Sequence, residues 1–213
     1  MFPVDYASAF IDEENKEIHV EILMDYVVPN IGSRALGFTS KVTPEEFENY
    51  VKLANAGLEK HWSRPVMLNG IEYNMKVTGK MSSDGMPMTL ANPGSPIWKD
   101  QSSRSRNPHP VLSGNLYRVP EQSEAEYKAV AAHEIGHGFL SDAFGIDYSW
   151  THEGTSTMGG KVNKDAPVEP AKGPVPLMPY SNRNRAALNV TERTLASEED
   201  ARTILALASR RNK

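Results

Sequence analysis

The chain has 213 residues, 27 acidic against 23 basic side chains, a net charge of -4 and no cysteine. That length suits one domain with a real core, and neither a membrane span nor a secretory leader is expected: no run approaches about 18 apolar residues, and Met1-Phe2-Pro3-Val4 lacks the basic start and apolar stretch of a signal peptide. The acidic balance argues against nucleic acid as a partner, and without thiols any metal must sit on His, Asp or Glu.

The first regular pattern is Ile18, Val20, Ile22, Met24 and Tyr26 alternating with His19, Glu21, Leu23 and Asp25, which predicts a half-buried strand. Thr43-Pro44-Glu45-Glu46 is a capping box with proline at the first helical position. Phe47, Tyr50, Val51, Ala54, Leu58 and Trp62 follow at helical spacing, so an amphipathic helix is expected there. Val66-Met67-Leu68 then meets Asn69-Gly70, a strong hairpin signal, and Ile71, Tyr73, Met75 and Val77 alternate beyond it. Strand, helix and hairpin together make an N-terminal α+β layer. The segment Met81 to Pro110, with five prolines and many serines, reads as a long loop, and Asn115 to Val119 as a short edge strand.

Ser123 caps a second helix, with Glu126 placed to reach back, and alanine-rich sequence carries it into His133. Gly159 to Tyr180 carries another five prolines and reads as a second loop. The last helix starts near Ser197, ends in Ser209-Arg210-Arg211, and offers Ile204, Leu205 and Leu207 as a docking face.

His133-Glu134-Ile135-Gly136-His137 carries the chemistry. Residues four apart share a helix face, so two imidazoles point at one ion while Glu134, about 100° further round, reaches a water on that ion without ligating it. Zinc with three protein ligands keeps an open position, acidifies its water and polarises a carbonyl; Glu134 acts as general base. The expected reaction is hydrolysis of peptide bonds.

The third ligand lies outside the motif, and two residues compete. A metzincin pattern would place a glycine at position 140 and a ligand at position 143, where this chain has Leu140 and Ala143; a shift of one residue would recruit Asp142. If the helix instead runs to Phe144 and Gly145 ends it, Asp142 points away from His133 and the imidazole of His152 is the better ligand. Met158, in the Ser156-Thr157-Met158-Gly159-Gly160 turn, is the expected floor of the site.

Ala131-Ala132-His133-Glu134-Ile135-Gly136-His137 followed by Ser149-Trp150-Thr151-His152-Glu153-Gly154-Thr155-Ser156 resembles the zincin metallopeptidase domains found as toxin modules of bacterial polymorphic and Rhs-type secreted systems. The resemblance covers residues 125–160, with weaker similarity at the strand-helix-hairpin start and the terminal helix. It implies one zincin-like α+β domain over 1–213, with an N-terminal lobe (about 1–140) of twisted sheet and backing helix, an active-site helix, and a smaller C-terminal lobe (about 141–213). It also implies His152 as the third ligand beside His133 and His137, one Zn2+ per chain, a protein or peptide substrate, delivery by a specialised bacterial secretion system, and a cognate immunity or delivery protein as partner. Two alternatives stand beside the endopeptidase: a zinc amidase acting on peptidoglycan peptides, and a non-catalytic zincin-fold binding module.

The remaining polar residues have plainer readings. His19, His61 and His109 are expected in surface or capping roles, and Glu153 as an exposed loop carboxylate. Tyr148, Tyr180 and His109 are the candidates for an oxyanion donor.

Overall fold

The computed structural model describes residues 6–30, 39–94 and 114–209 and shows a mixed α+β fold. Its centre is β2 (Glu17–Val27), whose inward residues Ile18, Val20, Ile22, Met24 and Tyr26 are all buried, as the alternation requires. On one side β2 pairs in parallel with β5 (Ile71–Met81). It also pairs antiparallel with β1 (Ala7–Asp12) through its first half and in parallel with β6 (Met86–Pro93) at its end. The hairpin of β4 (Arg64–Leu68) with β5 turns at Asn69-Gly70, both at positive φ (50° and 79°), the backbone a two-residue hairpin turn demands. Two short strands complete a seven-stranded sheet among the described residues: β3 (Thr39–Ser40) antiparallel to β6 and β7 (Gly114–Tyr117) parallel to it.

The expected loop from Met81 to Pro110 is corrected in part. Met86, Met88 and Leu90 alternate inward and are fully buried, so this stretch is strand β6. Its prolines, Pro87 and Pro93, stand near the two ends, and the burial of its apolar side chains outweighs their turn preference. Residues 95–113, including His109, lie outside the described residues. The second proline-rich segment is irregular apart from isolated bridges and the two-residue β8 (Val175–Pro176), which pairs with β9 (Thr194–Leu195).

The first helix, α1 (Pro44–Trp62), begins with the expected Thr43–Glu46 capping box and packs on β5 and on α2 (Glu124–Phe144). The second box, Ser123–Glu126, opens α2. Helix α2 is buried on most sides, which explains why its apolar residues do not confine themselves to one stripe. Trp62 locks the two helices: its indole N–H donates to the Ala132 carbonyl at 3.1 Å, and its ring meets Phe139 edge-on at 5.1 Å. Two short helices, α3 (Ile146–Trp150) and α4 (Val190–Arg193), precede the C-terminal α5 (Glu198–Ser209), which packs on β1 and α2 with Ile204 and Leu207 buried; Arg210 and Arg211 lie outside the described residues. No described helix is long and apolar enough to cross a membrane.

Candidate metal centre

Helix α2 runs unbroken to Phe144 and stops at Gly145, whose φ of 93° ends the helical path. His133 and His137 therefore sit one turn apart on the same face, with their Nε2 atoms 3.2 Å apart. After the short helix α3 (Ile146–Trp150), the chain reverses through three successive residues at positive φ, His152 (51°), Glu153 (59°) and Gly154 (81°). Left-handed backbone costs a non-glycine residue about 1–2 kcal/mol. Local hydrogen bonds hold it there: His152 N–H to Ser149 O at 3.0 Å, Glu153 N–H to Tyr148 O at 3.0 Å, Ser156 N–H to Thr151 O at 2.9 Å and Asn163 Nδ2 to Gly154 O at 2.7 Å. The turn carries the His152 ring to the other two, with centroids 4.7 Å from His137 and 5.2 Å from His133. Potential ligand atoms of His133, His137 and His152 all lie within 4.8 Å of one another.

Each imidazole has its other nitrogen engaged. His133 Nδ1 donates to the Leu177 carbonyl at 2.7 Å. Ser149 Oγ gives its proton to the His137 carbonyl at 2.8 Å, so it receives the Nδ1–H of His137 at 3.0 Å. Ser156 Oγ likewise donates to Thr157 O at 3.1 Å and accepts from His152 Nδ1 at 2.6 Å. Three Nδ1–H tautomers leave three Nε2 lone pairs as the ligand atoms. Burial pushes the pKa of all three rings down, for His152 to about 4; in His137 and His152 the charge of neighbouring imidazoles adds to it. The rings are thus neutral at physiological pH, the form that binds a metal. The spacing fits as well: two nitrogens about 2.0–2.1 Å from a tetrahedral ion stand about 3.3 Å apart, close to the 3.2 Å between His133 and His137. These residues can hold a metal ion.

Asp142, the competing third ligand, is turned the other way, and its Oδ2 accepts the Tyr6 hydroxyl at 2.9 Å. The reason is the uninterrupted helix: nine residues beyond His133, Asp142 lies about 180° away at about 100° per residue. Met158 does not floor the site, for it is 54% exposed. The methionine beneath the motif is Met178, fully buried against Gly136, where an added Cβ would meet Met178 Sδ at 2.5 Å and Trp62 Cζ2 at 2.6 Å. Neither Leu177 nor Met178 was expected at the site. The sequence signal was an apolar Val175-Pro176-Leu177-Met178 run within an otherwise polar loop.

Tyr180 follows directly, its ring stacked on His152 at 3.6 Å and its backbone N–H fixed by Thr155 Oγ1 at 2.7 Å. Of the proposed oxyanion donors, Tyr180 borders the site, Tyr148 packs against Phe144, and His109 is outside the described residues. His19 is at the surface beside Glu17. His61 is not: it is fully buried, with Nδ1 2.7 Å from Thr194 O, because the C-terminal segment folds over the end of α1. Glu153 is half-buried rather than exposed, and burial together with Asp200 pushes its pKa up to about 9.

A cavity of about 490 Å³ opens beside His133 and Glu134 and reaches Tyr180. Desolvation there raises the Glu134 pKa to about 8. Comparison with protein-family models, with curated proteins and with solved structures gives no match for this chain.

Proposed function

We propose that this chain is a zinc-dependent endopeptidase of zincin-like architecture, with His133, His137 and His152 as ligands and Glu134 as general base. The observation that carries the reading is the convergence of three imidazoles, each held by an Nδ1 donor bond with Nε2 left to ligate, on the flank of a cavity that Glu134 also borders. A structural zinc site would close its fourth position with protein; among the described residues no fourth His, Asp or Glu joins this group. When bound, zinc supplies Lewis acidity that acidifies water and polarises a carbonyl oxygen.

The chain's own residues do the rest. Glu134 takes the proton of the attacking water and passes it to the leaving amine nitrogen. Tyr180, whose ring stacks on His152 and whose backbone is tied to Thr155, is the residue assigned to hydrogen-bond the oxyanion. Leu177, Ser149 and Ser156 orient the ligands and fix their tautomers. The resemblance over residues 125–160 is what supports placing the enzyme among bacterial effector toxins.

Metal analysis with Glu134→Gln tests this. Wild type should retain about one zinc per chain and cleave casein, and the variant should keep the metal while turnover falls by about 10²–10⁴. Failure of the wild type to retain zinc, or full activity in the variant, overturns the proposal. Purified sacculi as a parallel substrate separate the endopeptidase from a peptidoglycan amidase.

A further inference from the structure

The cavity beside Glu134 has apolar walls, among them Val130, Val162, Val175 and Leu177, and its acidic lining among the described residues consists of Glu134 and Glu169, with no lysine or arginine among those lining it. Glu134 is absorbed by the proposed chemistry; Glu169 is not. It belongs to the C-terminal loop, and its position is built. Its Oε2 accepts the Asn184 N–H at 3.0 Å, its carbonyl accepts Asn184 Nδ2 at 2.9 Å, and its own N–H donates to Asn182 O at 2.9 Å. No lysine or arginine among the described residues forms an ion pair with it. A fixed carboxylate on an apolar wall sets up a negative potential in a place of reduced dielectric, which favours a cation that brings its own hydrocarbon.

Resting on the peptidase reading above, we propose that this cavity is the subsite for a residue flanking the scissile bond and that Glu169 selects lysine or arginine there. A lysine covers the valines with its methylene stem and sets its ammonium on the carboxylate; arginine does the same with a guanidinium. Aspartate or glutamate would face two acids. Leucine would gain the apolar contact alone. The volume is within the range of about 300–1,000 Å³ of small-ligand pockets, which leaves room for a long side chain.

The test uses internally quenched peptides identical except for lysine, norleucine or glutamate at either position flanking the cleaved bond. Cleavage by wild type is read beside binding to zinc-loaded Glu134→Gln by fluorescence anisotropy. The lysine peptide should bind and be cleaved about five- to tenfold better than norleucine, the effect of one partly solvated charge pair with a hydrogen bond. Adding Glu169→Gln, whose amide oxygen still accepts the Asn184 N–H, should bring that ratio to about one, and Glu169→Lys should put the glutamate peptide ahead. Cleavage without lysine preference, or a preference that survives Glu169→Gln, overturns the subsite and leaves the peptidase reading intact. Binding with a Glu169-dependent preference but no cleavage keeps the subsite and overturns the peptidase reading. Absence of both binding and cleavage overturns both.

Discussion

Gly136 sits mid-helix in α2, where helix propensity alone would favour alanine by about 0.8–1.0 kcal/mol. Packing reverses the sign. A methyl there would lie 2.5 Å from Met178 Sδ and 2.6 Å from Trp62 Cζ2, about 1 Å inside the optimum for such contacts. Met178 can bend away, but Trp62 is fixed by its bond to Ala132 O and by the edge of Phe139. Two contacts this short put the cost in the upper part of the overpacking range of about 1–3 kcal/mol, at about 2–3, so after the helix-propensity gain Gly136→Ala should lose a net of about 1–2 kcal/mol. In a chain of this size that lowers Tm by about 2–8 °C. A second effect follows from chain connectivity: displacing Met178 moves Leu177, whose carbonyl orients His133 at 2.7 Å. Zinc affinity should then fall about tenfold. Thermal melts in excess chelator read the first effect, and zinc competition with a chromophoric chelator reads the second. A Gly136→Ala protein that melts as high as wild type and binds zinc as tightly refutes the assignment of Met178 as the floor of the site.

Ser156→Ala removes the acceptor that holds His152 Nδ1, so zinc affinity should weaken by about 10- to 100-fold, with the metal-free Tm little changed; unchanged affinity would show that the ring needs no such partner. The pH dependence of stability follows from His61, whose folded pKa is depressed by burial and whose Nε2 is buried with no hydrogen-bond partner among the described residues. Below pH of about 6.5 the unfolded chain takes up the proton before the folded chain does, so stability is complete above that pH and is lost as pH falls through the folded pKa. The slope for one proton cannot exceed about 1.4 kcal/mol per pH unit. Of the charged groups around the ring, Lys60 and Lys128 oppose its protonation and Glu192 favours it. In metal-free protein His61→Gln should flatten the fall in Tm between pH 7 and pH 5, on top of the contribution of His133, His137 and His152; an unchanged slope would mean that His61 is solvated.

What the sequence made legible is what local physics controls. The capping boxes at Thr43 and Ser123, the Asn69-Gly70 turn and the alternation along β2 each act within a few residues, and each is where its pattern put it. The i, i+4 pair of imidazoles belongs to the same class. His152 was legible as one of two candidates, because the choice hinged on whether α2 continued past Leu140, a question helix propensity alone could not answer. Met178 and the burial of His61 were not legible: the second depends on how Thr194 and Ala196 cross the end of α1, the first on how the proline-rich segment folds back over α2. Proline content marked that segment as irregular and gave no sign that its apolar residues would enter the core.

The chain beyond that segment explains why the centre holds its shape. His61 Nδ1 bonds to Thr194 O, Ala196 N–H bonds to His61 O at 2.7 Å, and β9 pairs with β8, which leads directly into Leu177 and Met178. Helix α1 thereby fixes the strand that presents a carbonyl to His133. His152 is secured through the turn that Thr155 and Asn163 brace, which Tyr180 ties to the chain just beyond Met178. Two ligands thus depend on the helix and its backing, and the third on a strained loop whose cost must be met by the bonds around it. Bringing three desolvated lone pairs together is unfavourable by itself, so an ion that binds all three adds its binding free energy to the stability of the loop as well as the site. In the proposed zinc-bound form, the arrangement that makes His152 hard to read from sequence also ties its position to the ion.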